Sequence, residues 1–389
     1  MTAGLVDSFC LSMAWTVVVL EVTRQHGLVA AGACSTAMLL GVALSAPFAT
    51  WMAHRLDGRR LLRVAGLTEA VTRIGVFALL VTGSSVWAIA ACVTVMNVVA
   101  WTGYAGMRAE VAAVSDGAGG ITWYGTIVAA VEAMGIAAGA FVPTSSSGRP
   151  SDTVLVAVAV LYVAALVPTL VVAGGSLVPR AVRTTRRVIT SRRPSAVTVQ
   201  GAVLMLVASG PTLLAVALAA ELHGRAAVGL AAVAFTVGSL LAPTVASSLE
   251  RHGRNEPGWW VLMALGMVAG WVLAPVSVAW LCVAQVLSGL CMTTLEGLLD
   301  TAASRRRPDA VTPALARSTA ARALGSSGGT ALLPLAVALG GLSLSSAALA
   351  GVLAVLVVVV RVSGRGPTSE AVAGSLPDDV AAPRVVTAG

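Results

Sequence analysis

Apolar runs long enough to cross a bilayer follow one another almost without pause along this chain, and that succession constrains its fold more than any other feature. Runs near 3–23, 28–53, 61–82, 86–109, 122–143 and 153–173 fill the first half. Runs near 197–220, 226–249, 258–275, 277–299, 313–339 and 342–360 fill the second. A span needs about 20 apolar residues at about 1.5 Å each to traverse roughly 30 Å of hydrocarbon. Lipid offers backbone groups no hydrogen-bond partners, so runs of this length predict helices. Of the 389 residues 57% are apolar and 11% charged, and the mean hydropathy is +0.89. That composition excludes a disordered chain and an ordinary soluble enzyme. An all-α membrane protein with twelve transmembrane helices is expected, with the lipid bilayer as its first partner.

The excess of 25 basic over 17 acidic residues lies in short turns between apolar runs, so it gives no nucleic-acid partner. Every Lys/Arg position is Arg. Alternating the loops puts Arg55, Arg59, Arg60, Arg63, Arg108, the arginines from Arg180 to Arg193, Arg251, Arg254, Arg305 to Arg307 and those of the tail on one side. The other side keeps Arg24, Arg149 and Arg225. The positive-inside rule then makes both termini cytoplasmic in a multi-pass protein of the plasma (inner) membrane. The expected division is a six-helix bundle over 1–173, a basic cytoplasmic linker over 174–196, a second bundle over 197–361 and a disordered tail over 362–389. No cleavable signal peptide precedes the first run, which is expected to stay as a helix. Cys10, Cys34, Cys92, Cys282 and Cys291 fall inside apolar runs without metal-ligand spacing and read as packing residues. No metal and no cofactor are expected.

The halves repeat one another. His26-Gly27, Gly32 and Gly41 recur 197 positions on as His223-Gly224, Gly229 and Gly238, and Ala46-Pro47 and Arg55 recur 196 on as Ala242-Pro243 and Arg251. Glu110, Ile121-Thr122, Gly135 and Gly139 match Asp300, Val311-Thr312, Gly325 and Gly329 at a spacing of 190. An even number of helices per repeat gives both halves one orientation, hence pseudo-symmetry about the membrane normal.

Parallel six-helix repeats, a basic central linker and the turn Ala53-His54-Arg55-Leu56-Asp57-Gly58-Arg59-Arg60-Leu61 together resemble the major facilitator superfamily. The turn is similar to that superfamily's GxxxDRxGRR loop, or GxxADRxDRRRL in its drug- and siderophore-exporter branch, with Thr50 at the Gly and His54 at the Asp. The resemblance implies two pseudo-symmetric six-helix bundles around a central cavity lined by helices 1, 4, 7 and 10. It also implies a cytoplasmic latch in which Arg55 and Arg59 engage Glu110, and Arg251 engages Asp300. Guanidinium groups at helix ends can form such contacts; a solvated, topology-setting turn is the alternative. Helix 5 carries Gly135 and Gly139 in a partial GxxxGPxxGG antiporter motif, with Ala140 at the Pro and Pro143-Thr144 at the closing Gly pair. Small residues four apart also serve close helix packing by themselves.

A charge in hydrocarbon costs several kcal/mol unless paired or wet, so the few intramembrane ionisable groups are the functional candidates. Glu132 lies mid-helix among Ala, Val and Met and reads as a proton carrier or, alternatively, a polar clasp to a neighbouring helix. Asp7 is the second proton-coupling candidate, with a helix-end charge as its other reading. Arg322, the repeat mate of Glu132, can attract an anionic group or oppose Glu132 across a cavity. Asn97, Gln200 and Gln285 are hydrogen-bonding candidates for the same cavity, or interhelical glue. Trp15 and Trp101 sit away from the helix ends where Trp51, Trp87, Trp123, Trp259, Trp260 and Trp280 suggest an interfacial belt. Their rings could hold a hydrophobic or cationic solute, or simply pack. Glu69 and Arg73, four apart on helix 3, read as a structural pair. Glu296 and Asp300 read as lying near cytoplasmic water.

No Walker loop, HExxH, GxSxG or paired CxxC occurs, so neither an enzyme nor an ATP-driven pump is expected. The expected activity is alternating-access transport of a small hydrophobic or amphipathic molecule by a monomer, with proton-coupled efflux implied by the resemblance. Uptake by the same fold and a non-transporting membrane sensor or scaffold are the alternatives.

Overall fold

A computed structural model describes residues 2–114, 118–145, 148–176, 195–306 and 311–363, with side chains for all of these except 2, 108–114, 118–126 and 311–313. Most of the expected linker and tail, and the side chain of Glu110, lie outside the described residues.

Thr2–Ala53 runs as one helix broken at Gly27, and Val311–Ser363 as one broken at Gly341. The backbone at Gly27 has φ 80° and ψ 179°, where a side chain would be strained, so the glycine reverses the chain without a loop. We number the halves of the first helix α1 (2–26) and α2 (28–53). Then follow α3 (Gly58–Val81), α4 (Val86–Val114), α5 (Ala118–Ala140) and α6 (Asp152–Ala164 continued by Val167–Val172). The second half begins with α7, made of Ala196–Ala208, Gly210–Leu213 and Ala215–His223. Gly224, at φ 82°, turns α7 into α8 (Arg225–Arg251) as Gly27 turns α1 into α2. The remainder are α9 (Pro257–Ala269), α10 (Val278–Arg306), α11 (311–340) and α12 (342–363). Divided at the two glycines, the described helices follow the expected runs in order, with ends that differ by up to several residues.

Local chemistry starts several of them. Asp57 accepts the Arg60 N–H at 2.8 Å and caps α3, while Ser151 and Ser195 cap α6 and α7 through the amides of Val154 and Thr198. Side-chain oxygens there satisfy amides that the first helical turn leaves free.

Glycines set the packing. A Cβ at Gly135 would stand 2.3 Å from the Phe9 carbonyl oxygen, and at its repeat mate Gly325 2.0 Å from that of Ala202. So α5 lies against α1 as α11 lies against α7, and the duplication read in the sequence is a duplication of contacts. Each half has its own core, around Val17, Leu80 and Leu155 in one and Leu204, Met267 and Leu298 in the other. Leu67, Val71, Val156, Val160 and Val359 are exposed, as suits a surface facing lipid. Trp51, Trp87 and Trp280 are exposed near helix ends, but Trp260 is buried and donates to Asn255 Oδ1 at 2.7 Å, so it packs instead of joining a belt.

A third apolar cluster joins the halves at the end carrying the α1–α2 and α7–α8 turns: Leu20 and Ala140 meet Leu214, Leu218 and Ala227. The contacts obey the twofold. Gly32 of α2 abuts Thr330 and Pro334 of α11, and Gly229 of α8 abuts Ala137 and Phe141 of α5. The hydrogen bonds described between the halves lie at this same end. Thr36 Oγ1 donates to the Ser327 carbonyl at 3.1 Å and lies 3.1 Å from Thr330 Oγ1. Arg225 donates to the carbonyls of Ala140, Gly148 and Gly139 at 3.3, 3.4 and 3.5 Å. Among the described residues the molecule is an all-α membrane protein in two pseudo-symmetric helical halves.

Candidate functional site

Between the bundles, beyond the sealed end, lies a cavity of about 530 Å³, within the usual range for small-molecule sites. The first half contributes Trp15 of α1, Trp101 of α4 and Glu132 of α5; the second contributes Gln285 and Glu296 of α10 and Arg322 of α11. Leu39, Val42, Ile136, Leu213, Phe235 and Met292 are among the apolar side chains that complete the wall. Helical periodicity explains the selection: Ala129, Glu132, Ala133 and Ile136 form one face of α5, and Gln285, Met292 and Glu296 one face of α10. Along α10 the lining runs from Gln285 to Glu296, a rise of about 16 Å, away from the sealed end.

The polar groups are unequally satisfied. Arg322 Nη1 donates to Asp300 Oδ1 at 2.6 Å and to Ser318 Oγ at 3.0 Å. Glu132 has no hydrogen-bond or ion-pair partner among the described residues. Gln285 is 1% exposed, yet its Oε1, like Thr212 Oγ1 on the same wall, is unpartnered. A buried polar atom without a partner costs about 1–3 kcal/mol, so a guest able to bond these atoms gains by entering. Among the described residues no three His, Cys, Asp or Glu side chains are grouped to hold a metal.

Several sequence candidates lie elsewhere. Asp7 is absent from the cavity wall: its Oδ1 accepts from Arg73 Nη2 at 2.7 Å. The fully buried Arg73 recruits a second carboxylate beyond Glu69, which it also binds as the helical spacing predicts. Asn97 donates to the Val93 carbonyl of its own helix at 2.9 Å and packs beside Gly41, at the α2–α4 contact. Gln200 is exposed near the start of α7. The latch also differs from expectation. Asp300 pairs with Arg322 and not with Arg251, which is exposed; a buried guanidinium needs a counter-charge more than a solvated one does. Arg55 stacks on Trp51 with its Cζ 4.2 Å from the ring centroid, and Arg59 is exposed. Glu296 and Thr212 are cavity residues that sequence reasoning missed. The heptad-like run Gln285, Met292, Glu296 carried a signal for the first; Thr212 had none.

No protein-family model matches the sequence, and no curated protein matches it. Solved structures match its fold. The nucleoside transporter NupG superposes with a TM-score of 0.69 at 12% identity, covering 94% of this chain and 99% of its own. The inward open conformation of the xylose transporter XylE from E. coli gives 0.70 at 12% identity, covering 95% and 96%. A POT family transporter in complex with a thioalcohol conjugated peptide gives 0.70 at 12% identity, covering 93% and 94%. At such identity the likeness shows the fold alone: this chain shares the fold of these solved structures.

Proposed function

We propose that the chain is a secondary active transporter of the plasma membrane that moves a small hydrophobic or amphipathic molecule by alternating access, in exchange for protons. The observation that carries this reading is a largely apolar cavity lying between two equivalent bundles, closed at one end and holding the carboxyl of Glu132, which has no partner among the described residues. Bundles 1–173 and 197–361, joined by the linker 174–196, rock about that cavity, while both termini and the tail 362–389 lie in the cytoplasm. The arginine-rich turns fall at the end opposite the seal, so by the positive-inside rule the cavity reaches toward the cytoplasm. Rocking that parts the seal and closes the arginine-rich end carries the contents across.

Glu132 exchanges its proton with whichever compartment the cavity faces, and this couples the two movements. Cargo is not inherited from the fold: the solved structures it resembles are named for a nucleoside, a sugar and peptides. We take efflux as the direction and one chain as the working unit.

A panel of solutes on reconstituted protein, with a pH dye inside the vesicles, tests the reading. Solute leaving the cytoplasmic side with proton entry, and movement that turns pH-insensitive in Glu132→Gln, is the expected result. Solute and proton moving inward together would make the protein an uptake symporter. A chain that binds a protein partner and moves nothing would be a sensor.

A further inference from the structure

The cavity carries a charge imbalance whose sign limits its cargo. Among the described residues its wall holds one basic side chain, Arg322, and two acidic ones, Glu132 and Glu296. Arg322 is already engaged by Asp300 and Ser318, so it presents little positive field to a guest. Glu132 faces the space with no partner among the described residues. The helices packed on α5 add no charge to the wall: α1 contributes Trp15, and α8 contributes apolar and hydroxyl side chains such as Phe235 and Ser239, while Arg225 of α8 bonds the carbonyl end of α5 at the seal. An ionised carboxylate in such a space is unstable until a cation or a proton neutralises it. The faces of Trp15 and Trp101 attract cations through the ring quadrupole. The unpartnered Gln285 Oε1 accepts, and does not donate, a hydrogen bond.

We propose that the cavity binds a monovalent organic cation, an apolar body bearing an ammonium or other onium centre. Glu132 is its counter-charge, Trp15 and Trp101 are its aromatic walls, and Gln285 Oε1 accepts from an N–H where the cation has one. The proposal rests on the transport reading of the cavity and names its cargo class. A neutral guest leaves Glu132 unpaired, and an anionic guest meets an excess of carboxylates around an arginine that is already bonded. Proton and cation then compete for one carboxylate, so occupancy by either excludes the other.

Equilibrium binding of tetraphenylphosphonium to the protein in lipid nanodiscs, corrected with empty discs, tests this against the isosteric anion tetraphenylborate. At about pH 8, where carboxylates ionise, the phosphonium should bind at least about tenfold more tightly than the borate. Glu132→Gln should weaken phosphonium binding by about tenfold or more, and Glu132→Asp should keep it within about threefold of wild type. If Glu132→Gln fails to fold, lowering the pH of the wild-type protein to about 4, where even an ordinary Glu carboxyl is mostly protonated, carries the test, and phosphonium should be displaced. Borate binding as tightly as phosphonium overturns the proposal, as does phosphonium affinity indifferent to Glu132→Gln or to pH. Phosphonium that binds but never moves in proteoliposomes defeats the transport reading and leaves the cation site standing. Transport of other solutes without phosphonium binding does the reverse.

Discussion

Arg73 illustrates what a guanidinium requires inside a membrane protein. It is fully buried, and it bonds Glu69 one turn back on α3, Asp7 on α1 and the Tyr162 carbonyl on α6. Its Cζ also lies 3.9 Å from the centroid of the Tyr162 ring. One side chain thus ties three helices of the first bundle. Removing one member of a buried ion network leaves the others uncompensated, at about 3–5 kcal/mol. Arg73→Leu should therefore lower the thermal unfolding midpoint of the detergent-solubilised protein sharply. Asp7→Asn should lower it less, because that carboxylate is partly exposed, and should leave the pH profile of transport unchanged; a shifted profile would return Asp7 to the coupling mechanism. The Glu69–Arg73 contact was legible because a four-residue spacing fixes which side chains meet on a helix. The Asp7–Arg73 contact spans 66 positions, and nothing local encodes it. Glu132, Trp15 and Trp101 could be found because each breaks the character of its apolar run. Asn97 and Gln200 were placed by helix number alone, and helices apolar all round offer no stripe that says which face turns inward.

At the scale of the element, glycine decides how close two helices come. The sequence showed Gly135 and Gly139 repeated as Gly325 and Gly329; the structure adds that the carbonyls they approach, Phe9 and Met13 in one half and Ala202 and Leu206 in the other, are equivalent too. Because backbone stands opposite, an added methyl has no flexible atom to displace. Gly135→Ala and Gly325→Ala should each reduce the yield of monodisperse protein in size-exclusion chromatography. Gly351→Ala in α12, where nothing lies within 4 Å, should hold or raise it, since Ala is favoured over Gly inside a helix by about 1 kcal/mol. Equal yields for all three would mean that the α1–α5 and α7–α11 contacts yield to a methyl group. Helix ends were less legible than helix positions. The α4 and α10 helices continue to Val114 and Arg306, past the apolar runs that marked them, because hydropathy records where lipid stops and a helix can continue into water. The interruption in α6 and the first of the two in α7 precede Pro168 and Pro211, where a missing amide breaks the ladder.

At the scale of the whole molecule, what distinguishes a transporter from a static bundle is that the contacts closing one end must be exchangeable for contacts closing the other. The seal has that character. Its apolar part, Leu20 and Ala140 against Leu214 and Leu218, loses burial when parted. Its polar part is made of groups that water can replace: the Thr36–Thr330 hydroxyls and the Arg225 guanidinium set over the carbonyl end of α5. A cation at a helix C-terminus is worth about 0.3–1 kcal/mol, enough to bias an equilibrium without locking it. Population shifts between two packed states need differences of only a few kcal/mol. Locking the seal covalently should therefore stop the cycle without unfolding the protein. The Oγ1 atoms of Thr36 and Thr330 are 3.1 Å apart, so sulfurs at these positions would have to approach by about 1 Å more to form a disulfide. With the five native cysteines replaced, Thr36→Cys combined with Thr330→Cys should crosslink on oxidation, hold the cavity open to the side of the arginine-rich turns and abolish net transport. Reduction should restore it. Cargo should still bind the crosslinked form from that side, since the cavity wall does not include either threonine. Full transport by the crosslinked protein would mean that the bundles never separate there, and alternating access about this cavity would fall with it.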